Sequence, residues 1–544
     1  MRVALAQINT TIGDLENNVK KIGDFIKKAK AEKADIVVFP ELAITGYPPK
    51  DLLLRKDFVK KNEEFLKDLI KNTSGIFAVV GFVESEGNNI YNSAAIFGEK
   101  KLIGVVRKKI LRTYDFFDEK KYFKPGKNDG NVLHIDINGK RFDIEFEICE
   151  HVYDDAVTHQ KNSADFIINI SASPFYIGKN LEEKFRKIAE KNRIPIFYVN
   201  LVGGQDEIVF DGQSLAVDRS GNLIAIGKQF DEDLVIIEIP QKLTTKKIEP
   251  HKYKKEGEMF NALVLGLKDY FKKTCFKKAV IGLSGGIDSS LAACIAVEAL
   301  GKKNVIGVSM PSRFSSDHSR TDAQKLAQNL GICFVMFSIQ DIVKAYEKSL
   351  EKPLDEIRKK FFISRKNDDP VANENIQSRV RANCLMDISN RLKDLKILVI
   401  NTGNKTEIAL GYCTLYGDMT GGIGVLGDVS KLDVYKLAKY VNEKSGREII
   451  PKNIFLKKPS PELKNDQFDP FDYEIVSPLV DEIIEKRKSR YELIKMGYPG
   501  KIVDDVLERI RKSEYKRRQA VPYIKITKSS LIGIKMPIVN KYKE

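Results

Sequence analysis

Apolar residues in the first half of the chain come in short runs bounded by turns: RVALAQI, DIVVFPELAI, GIFAVVGFV, NSAAIFG, KLIGVVRK, DIEFEICE, DFIINISAS, PIFYVNLV, LIAIG and LVIIEIP. Runs of this length, rich in β-branched residues, predict strands. Between them Leu15, Val19, Ile22, Phe25, Ile26 and Ala29 fall at helical spacing over residues 14–30, and LEEKFRKIAEKNR repeats the pattern. Residues 1–240 are therefore expected to form an α/β sandwich of sheets flanked by helices. Past Met259 the rhythm changes, and longer helical patterns alternate with the single apolar strands KKAVIGL, NVIGVSM, CFVMFSI and KILVINTG. That alternation predicts a doubly wound parallel sheet over residues 259–544, with ligands at the carboxyl ends of its strands. The polar stretch 241–258, QKLTTKKIEPHKYKKEGE, is the expected linker. No internal repeat or low-complexity tract interrupts this scheme.

Composition narrows the class. A chain of 544 residues exceeds one ordinary domain, and 42% hydrophobic with 31% charged residues fits neither a disordered nor a fibrous protein. No uncharged apolar run approaches the ~18 residues of a spanning helix. The N-terminal segment lacks the apolar core and cleavage pattern of a signal peptide, so the cytoplasm is the expected location. Six cysteines without a CxxC pair argue against zinc ribbons, iron–sulfur ligation and a disulfide framework. All but Cys149 are expected to pack as small apolar residues. Five histidines without HExxH or another close pair make a histidine metal site improbable. The net charge of +16 fits either nucleic acid or phosphate-bearing substrates. Basic residues are interspersed with acids and show no aromatic–basic repeat, which leaves nucleic-acid binding as the weaker alternative.

Three strand ends carry reactive groups. Glu41 closes VVFPE, where a carboxylate must be paired or desolvated, as a general base is. Lys108 closes VVRK, and an ammonium beside a thiol is expected to lower the thiol's pKa and to stabilise an oxyanion. Cys149 ends DIEFEIC. Singly, these are a filler cysteine and ordinary surface charges. Together they lie in FPELAITGYPPKDLL, RKKILRTYDFFDEKKYFKPG and ICEHVY, followed by NISASPFYIGK and YVNLVGGQDEIVFDGQS. In that order these segments resemble the glutamine amidotransferase branch of the nitrilase superfamily. The resemblance implies a nitrilase-like α-β-β-α sandwich with Glu41 as general base, Lys108 as transition-state stabiliser and Cys149 as the nucleophile attacking the L-glutamine amide. It places Tyr114, Ser173 and Lys179 around the glutamine. Departures are Arg112 where the family usually has proline, His151 and Tyr153 where it has aspartate and tryptophan, and Lys179 where arginine is common. A lysine is a point charge and lacks the bidentate grip of a guanidinium.

The segment 281–290, IGLSGGIDSS, follows an apolar run and precedes a helical stripe. Its glycines let backbone N–H groups converge on an anion, Ser284 and Ser289 or Ser290 add hydroxyls, and the helix start adds partial positive charge. The lysine of the common phosphate loop is absent. Asp288 would repel phosphate unless it holds Mg²⁺, and as a bare helix start the same residues are ordinary caps. SGGxDS resembles the pyrophosphatase loop of enzymes that split ATP into AMP and pyrophosphate, which leaves NAD synthetase, GMP synthetase, asparagine synthetase and tRNA-modifying enzymes open. With GVSMPSRFSS, ENIQSRVRANCLMDISN, NTGNKTEIALGYCTLYGDMTGG, KKPSPELKNDQFDPFDYEIV and SEYKRRQAVPYIKIT, nearly the whole chain resembles the glutamine-dependent NAD synthetases. That resemblance implies a Rossmann-like ATP pyrophosphatase domain. In it ATP lies on Gly282, Leu283, Ser284, Gly285, Gly286, Ile287, Asp288, Ser289 and Thr402, and deamido-NAD on Asn375, Glu407 and Lys516. It further implies Mg²⁺ on Asp288 and Glu407, ammonia carried in an interdomain passage, and a homo-oligomer with neither nucleic-acid nor membrane partners. The alternative within this class is an adenylating amidotransferase for another carboxylate. GGIGVLG at 421–427 mimics a dinucleotide fingerprint but has no acidic partner in a βαβ unit.

Overall fold

The computed structural model describes residues 1–127, 131–149, 164–239, 248, 254–464, 467–534 and 536–542; His151, Tyr153 and most of 241–258 lie outside them. The chain divides into two compact units, Met1–Tyr253 and Lys254–Glu544.

In the first unit the described strands are β1 (Arg2–Gln7), β2 (Ile36–Val38), β3 (Phe77–Glu86), β4 (Asn89–Gly98), β5 (Lys101–Arg107), β6 (Val132–Ile137) and β7 (Lys140–Ile148). They continue with β8 (Phe166–Ser171), β9 (Ile196–Asn200), β10 (Val202–Gln205), β11 (Ile208–Asp211), β12 (Leu215–Val217), β13 (Leu223–Ile226) and β14 (Asp233–Glu238). The helices are α1 (Leu15–Ala31), α2 (Lys56–Lys71), α3 (Glu119–Tyr122) and α4 (Leu181–Asn192). One sheet runs β14-β1-β2-β3-β4-β5 and the other β13-β12-β9-β8-β7-β6, with β10 and β11 as a separate ladder.

Strand alternation decides the layers. Val3, Leu5, Ile36 and Val38 enter the core between the sheets, where they meet Ile144, Phe146, Ile148, Phe166 and Ile168. The intervening Ala4, Ala6 and Val37 pack outward with Ile22 and Phe25 of α1 and Leu66 of α2. On the opposite outer face Ile167 meets Phe185 and Ala189 of α4. The result is the α-β-β-α sandwich. Strands covered on both faces read as unbroken apolar runs, which made most of them legible. β6, which alternates with solvent, and the glycine-bearing β10 carry no such signal, and β11 is an apolar run of only three residues before Asp211.

The second unit contains β15 (Lys278–Gly282), β16 (Val305–Ser309), β17 (Cys333–Met336), β18 (Ile397–Asn401) and β19 (Ile423–Gly424). Its helices are α5 (Lys255–Lys273), α6 (Ile287–Leu300), α7 (Asp317–Leu330), α8 (Gln340–Phe361), α9 (Val371–Arg391) and α10 (Lys405–Leu410). They are followed by α11 (Lys431–Ser445), α12 (Lys452–Leu456), α13 (Tyr473–Ile484), α14 (Arg490–Lys495), α15 (Gly500–Lys512) and α16 (Glu514–Arg517). The sheet is parallel, in the order β17-β16-β15-β18-β19. Helices α5, α6 and α11 pack together, while α8 and α9 close the other face over Val280, Val308, Val380 and Val399. The order reverses between β15 and β18, so the loops after these two strands open side by side at their carboxyl ends.

Two sequence expectations are revised. Helix α5 starts at Lys255, inside the stretch read as a linker, with Glu256 and Glu258 in its first turn where the helix dipole favours them. The GGIGVLG segment, set aside above as a dinucleotide fingerprint, supplies the two residues of β19 paired in parallel with β18. Of the cysteines expected to be filler, Cys294 is buried, but Cys275 and Cys333 are exposed and Cys384 and Cys413 half-buried. Cys275 follows the end of α5 in a left-handed turn, and Cys333 opens an edge strand, so neither position offers a core to fill.

One glycine fixes how the first unit presents its strand ends. A Cβ on Gly81 would lie 2.4 Å from Leu42 N and 2.5 Å from the Pro40 carbonyl, so β3 touches the turn that carries Glu41. Gly81→Ala is therefore expected to destabilise the protein by about 1–3 kcal/mol. Denaturant unfolding checks this, and an unchanged midpoint would mean the contact is slack.

Candidate functional site

In the first unit the chain ends of β2, β5 and β7 bring Glu41, Lys108 and Cys149 together. Each of the three is nearly inaccessible to solvent. Lys108 Nζ donates to Glu41 Oε1 at 2.7 Å and to Glu119 Oε1 at 2.7 Å. Glu41 also accepts from Asn92 Nδ2 at 2.7 Å and, through Oε2, from the Ala172 N–H at 3.0 Å. Glu119 accepts from the Tyr47 hydroxyl at 3.1 Å and the Arg112 N–H at 3.0 Å. Two carboxylates around one ammonium leave the cluster net negative.

Burial by itself would pull the Lys108 ammonium down, but the charges of Glu119 and Glu41 more than reverse this, so it stays protonated. The thiol goes the other way from expectation. Burial pushes Cys149 up to about 12, helped by Glu41, and the opposing pull of Lys108 is too weak to restore it. Cys149 is therefore held as a thiol at neutral pH, and any reaction through its sulfur calls for a base. Cys149 has φ of +55°, a left-handed conformation costing about 1–2 kcal/mol in a residue with a side chain. It breaks the strand at the reactive residue, and the Asn169 side chain holds its carbonyl at 2.8 Å.

Tyr114 is half-exposed, and partial burial raises its phenol above the ordinary value. Ser173 directly follows the peptide that touches Glu41. Its carbonyl accepts from Lys179 Nζ at 2.9 Å, and Lys179 pairs with Asp211 at 2.7 Å, both side chains buried. Arg112 gives its backbone N–H to Glu119, a role for which proline has no donor. His151 and Tyr153 lie outside the described residues.

In the second unit the segment after β15 bends at Gly285, whose φ is +77° and whose Cβ would lie 2.3 Å from the Ser319 carbonyl. Only glycine fits there. Gly286 then caps α6, while Ser284 and Ser289 hydroxyls stand 3.2 Å apart. Asp288, in the first turn of α6, accepts from Asn404 Nδ2 at 2.8 Å and from Lys431 Nζ at 2.6 Å. Asn404 and Glu407 form a capping box at the start of α10. Glu407 also reaches Lys431, at 3.4 Å. Burial raises its pKa, which the Lys431 charge opposes and Asp288 reinforces.

A cavity of about 810 Å³ is lined by every residue singled out from the sequence as a ligand contact in this unit except Gly285 and Ser290. Thr402 lines it from the end of β18 and Asn375 from α9, accepting from the Thr414 hydroxyl at 2.8 Å. Lys516 lines it while donating to the carbonyls of Gly411 (2.8 Å) and Cys413 (2.6 Å). Among the described residues no three His, Cys, Asp or Glu side chains gather to hold a metal ion by themselves.

The sequence reading missed Glu119, Asp211 and Lys431. Glu119 sits in the charged DEKKY and Lys431 in SKLD, which read as solvated faces; only the fold turns them inward. SEYKRRQ likewise reads as a basic surface, yet Glu514 is buried and paired with Arg517.

The matching family models are a carbon-nitrogen hydrolase over residues 2–248 and an NAD synthase over residues 259–520. The glutamine-dependent NAD(+) synthetases of Thermotoga maritima and Aquifex aeolicus are each 40% identical over all of this chain, covering 99% and 100% of their own lengths. The solved structure of the Acinetobacter baumannii glutamine-dependent NAD+ synthetase with ADP is 33% identical, covers 99% of this chain and 98% of its own, and has a TM-score of 0.78.

The buried thiol has a direct spectroscopic consequence. Comparing wild type with Cys149→Ala by thiolate absorbance between about pH 7 and 9 is expected to show no thiolate from Cys149. A titration in that window would mean that Lys108 outweighs burial.

Proposed function

The chain belongs to the glutamine-dependent NAD(+) synthetases, and from that premise we propose how its residues share the work. The reaction is the ATP-dependent amidation of deamido-NAD to NAD with nitrogen from glutamine. The observation that carries the assignment in the first unit is the contact of Lys108 with Glu41 beside the buried Cys149.

Glu41 takes the Cys149 proton as sulfur attacks the glutamine side-chain carbonyl, and Lys108 faces the oxygen that becomes negative. The proton passes to the leaving nitrogen, ammonia departs, and the glutamyl thioester is hydrolysed by a water that Glu41 deprotonates. Glu119 keeps Lys108 charged and in place. Tyr114, Ser173 and Lys179 bind glutamine.

In the second unit the nicotinate carboxylate of deamido-NAD attacks the α-phosphorus of ATP and expels pyrophosphate; ammonia then displaces AMP from the adenylate. Residues Gly282 to Ser289 and Thr402 hold ATP, their N–H groups and hydroxyls receiving the phosphates. Asn375, Glu407 and Lys516 face deamido-NAD. Asp288 and Glu407 both reach the single cation on Lys431, so their carboxylates converge on one cationic position of hard oxygen donors that suits Mg²⁺. When bound, Mg²⁺ would supply charge neutralisation of the phosphates.

Cys149→Ala is expected to abolish glutamine-supported NAD formation while ammonia-supported formation persists, and Asp288→Ala to remove both while glutamine hydrolysis continues. A Cys149 variant that loses both, or neither, contradicts this division.

We place the enzyme in the cytoplasm, supported by the absence among the described residues of any helix long and apolar enough to cross a membrane. A homo-oligomer is supported by α8. Its Ile342, Tyr346, Leu350, Leu354, Ile357 and Phe361 recur every three or four residues and are exposed, a stripe of the kind that marks an interface. Asp341 stands in its first turn and Arg358, Lys359 and Lys360 in its last, so two copies paired antiparallel about a two-fold axis oppose unlike charges. Leu350→Asp with Leu354→Asp is expected to lower the solution mass measured by light scattering. An unchanged mass would remove α8 from the interface.

A further inference from the structure

The Lys179–Asp211 pair is built differently from a simple carboxylate grip. Asp211 ends β11, and Lys179 lies on the segment that follows β8; both side chains are at least nine-tenths buried. Asp211 Oδ1 receives Lys179 Nζ at 2.7 Å and Asn200 Nδ2 at 3.4 Å, whereas Oδ2 accepts no hydrogen bond among the described residues. Lys179 spends two of its three donors, on Asp211 and on the Ser173 carbonyl at 2.9 Å. A buried ion pair thus keeps one free acceptor and one free donor side by side. Oδ2 belongs to a side chain only 4% exposed and is poorly hydrated, so a ligand that brings it a donor is favoured there.

The pair stands at the glutamine end of the first site. Ala172 donates to Glu41 and the next residue, Ser173, holds Lys179. Asn200 ties the two ends together, accepting from the Ser173 N–H at 2.8 Å and donating to the Ser173 carbonyl at 3.1 Å and the Gly212 carbonyl at 3.0 Å. Burial and the nearby Asp211 carboxylate together raise the phenol of Tyr176, which lies on the same segment between Ser173 and Lys179. The lysine at 179 matters here. An arginine in its place has the fork that engages both oxygens of a carboxylate, and would leave Asp211 with nothing to offer.

We propose that Asp211 is a specificity-determining residue: its Oδ2 accepts from the α-ammonium of glutamine while the third hydrogen of Lys179 goes to the α-carboxylate. The pair reads the free amino acid as a zwitterion. This rests on the assignment of the first unit as the glutamine-hydrolysing site.

Glutaric acid monoamide, which is glutamine without its α-amino group, separates the two contacts. Wild type is expected to favour glutamine over the monoamide by about 10²-fold or more in kcat/KM, as a site with a buried acceptor left unpaired does. Asp211→Asn is expected to raise KM for glutamine about 10- to 100-fold with a smaller change in kcat, and to leave the monoamide within about threefold. Lys179→Met is expected to weaken both substrates. Equal losses on both substrates in Asp211→Asn would reduce Asp211 to a support for Lys179 and overturn the proposal. So would equal use of both substrates by the wild type, a result that needs no variant to fold. Absence of Cys149-dependent ammonia release from glutamine in the wild type would overturn the underlying assignment as well, and so is distinguishable from failure of the Asp211 role alone.

Discussion

Lys108 lies between Glu41 and Glu119 with almost no access to water, and the first unit is arranged around that fact. An isolated buried ammonium would lose its proton, and two isolated buried carboxylates would gain them. Held at 2.7 Å on either side of one nitrogen, Glu41 and Glu119 keep the Lys108 ammonium charged. The remaining lone pairs go to Asn92, Ala172, Tyr47 and Arg112. Breaking any one leaves an uncompensated charge in a dry strand end, which is far costlier than removing the pair as a whole. The same surplus of negative charge and the same burial keep the Cys149 thiol protonated.

That state is chemically useful. A thiol with its proton does not react with stray electrophiles, and in the mechanism we propose Glu41 removes the proton only when an amide carbonyl arrives. Reactivity is thus conditional on substrate, with base, ammonium and thiol set on the ends of three different strands. The rigidity of those strands, buried on both faces, substitutes for the precision a surface loop lacks.

The second unit repeats the theme with different parts. Lys431 lies against Asp288 and Glu407, carboxylates delivered by the loops after β15 and β18. They meet because the sheet order reverses between those two strands, which opens a crevice at their carboxyl ends. The glycine bend at Gly285 and the cap at Gly286 place the first turn of α6 on the cavity wall.

By itself the sequence determined the layers, most strands, and the residues whose chemistry is written in a local pattern. Apolar runs such as DIVVFPE and DFIINIS are strands because nothing else buries both faces of so short a segment. Glu41, Cys149 and the SGGIDSS loop stand out because a reactive or polar group closes an apolar run. Tertiary structure alone decided which charges face inward. Glu119 and Lys431 occur in stretches as polar as any surface loop, and the inverted thiol pKa follows from total burial rather than from the lysine next to it. Local patterns fix what a segment must bury. Which of its charges ends up desolvated, and against what partner, depends on segments dozens to hundreds of residues away, as Asn404 and Lys431 on Asp288 show.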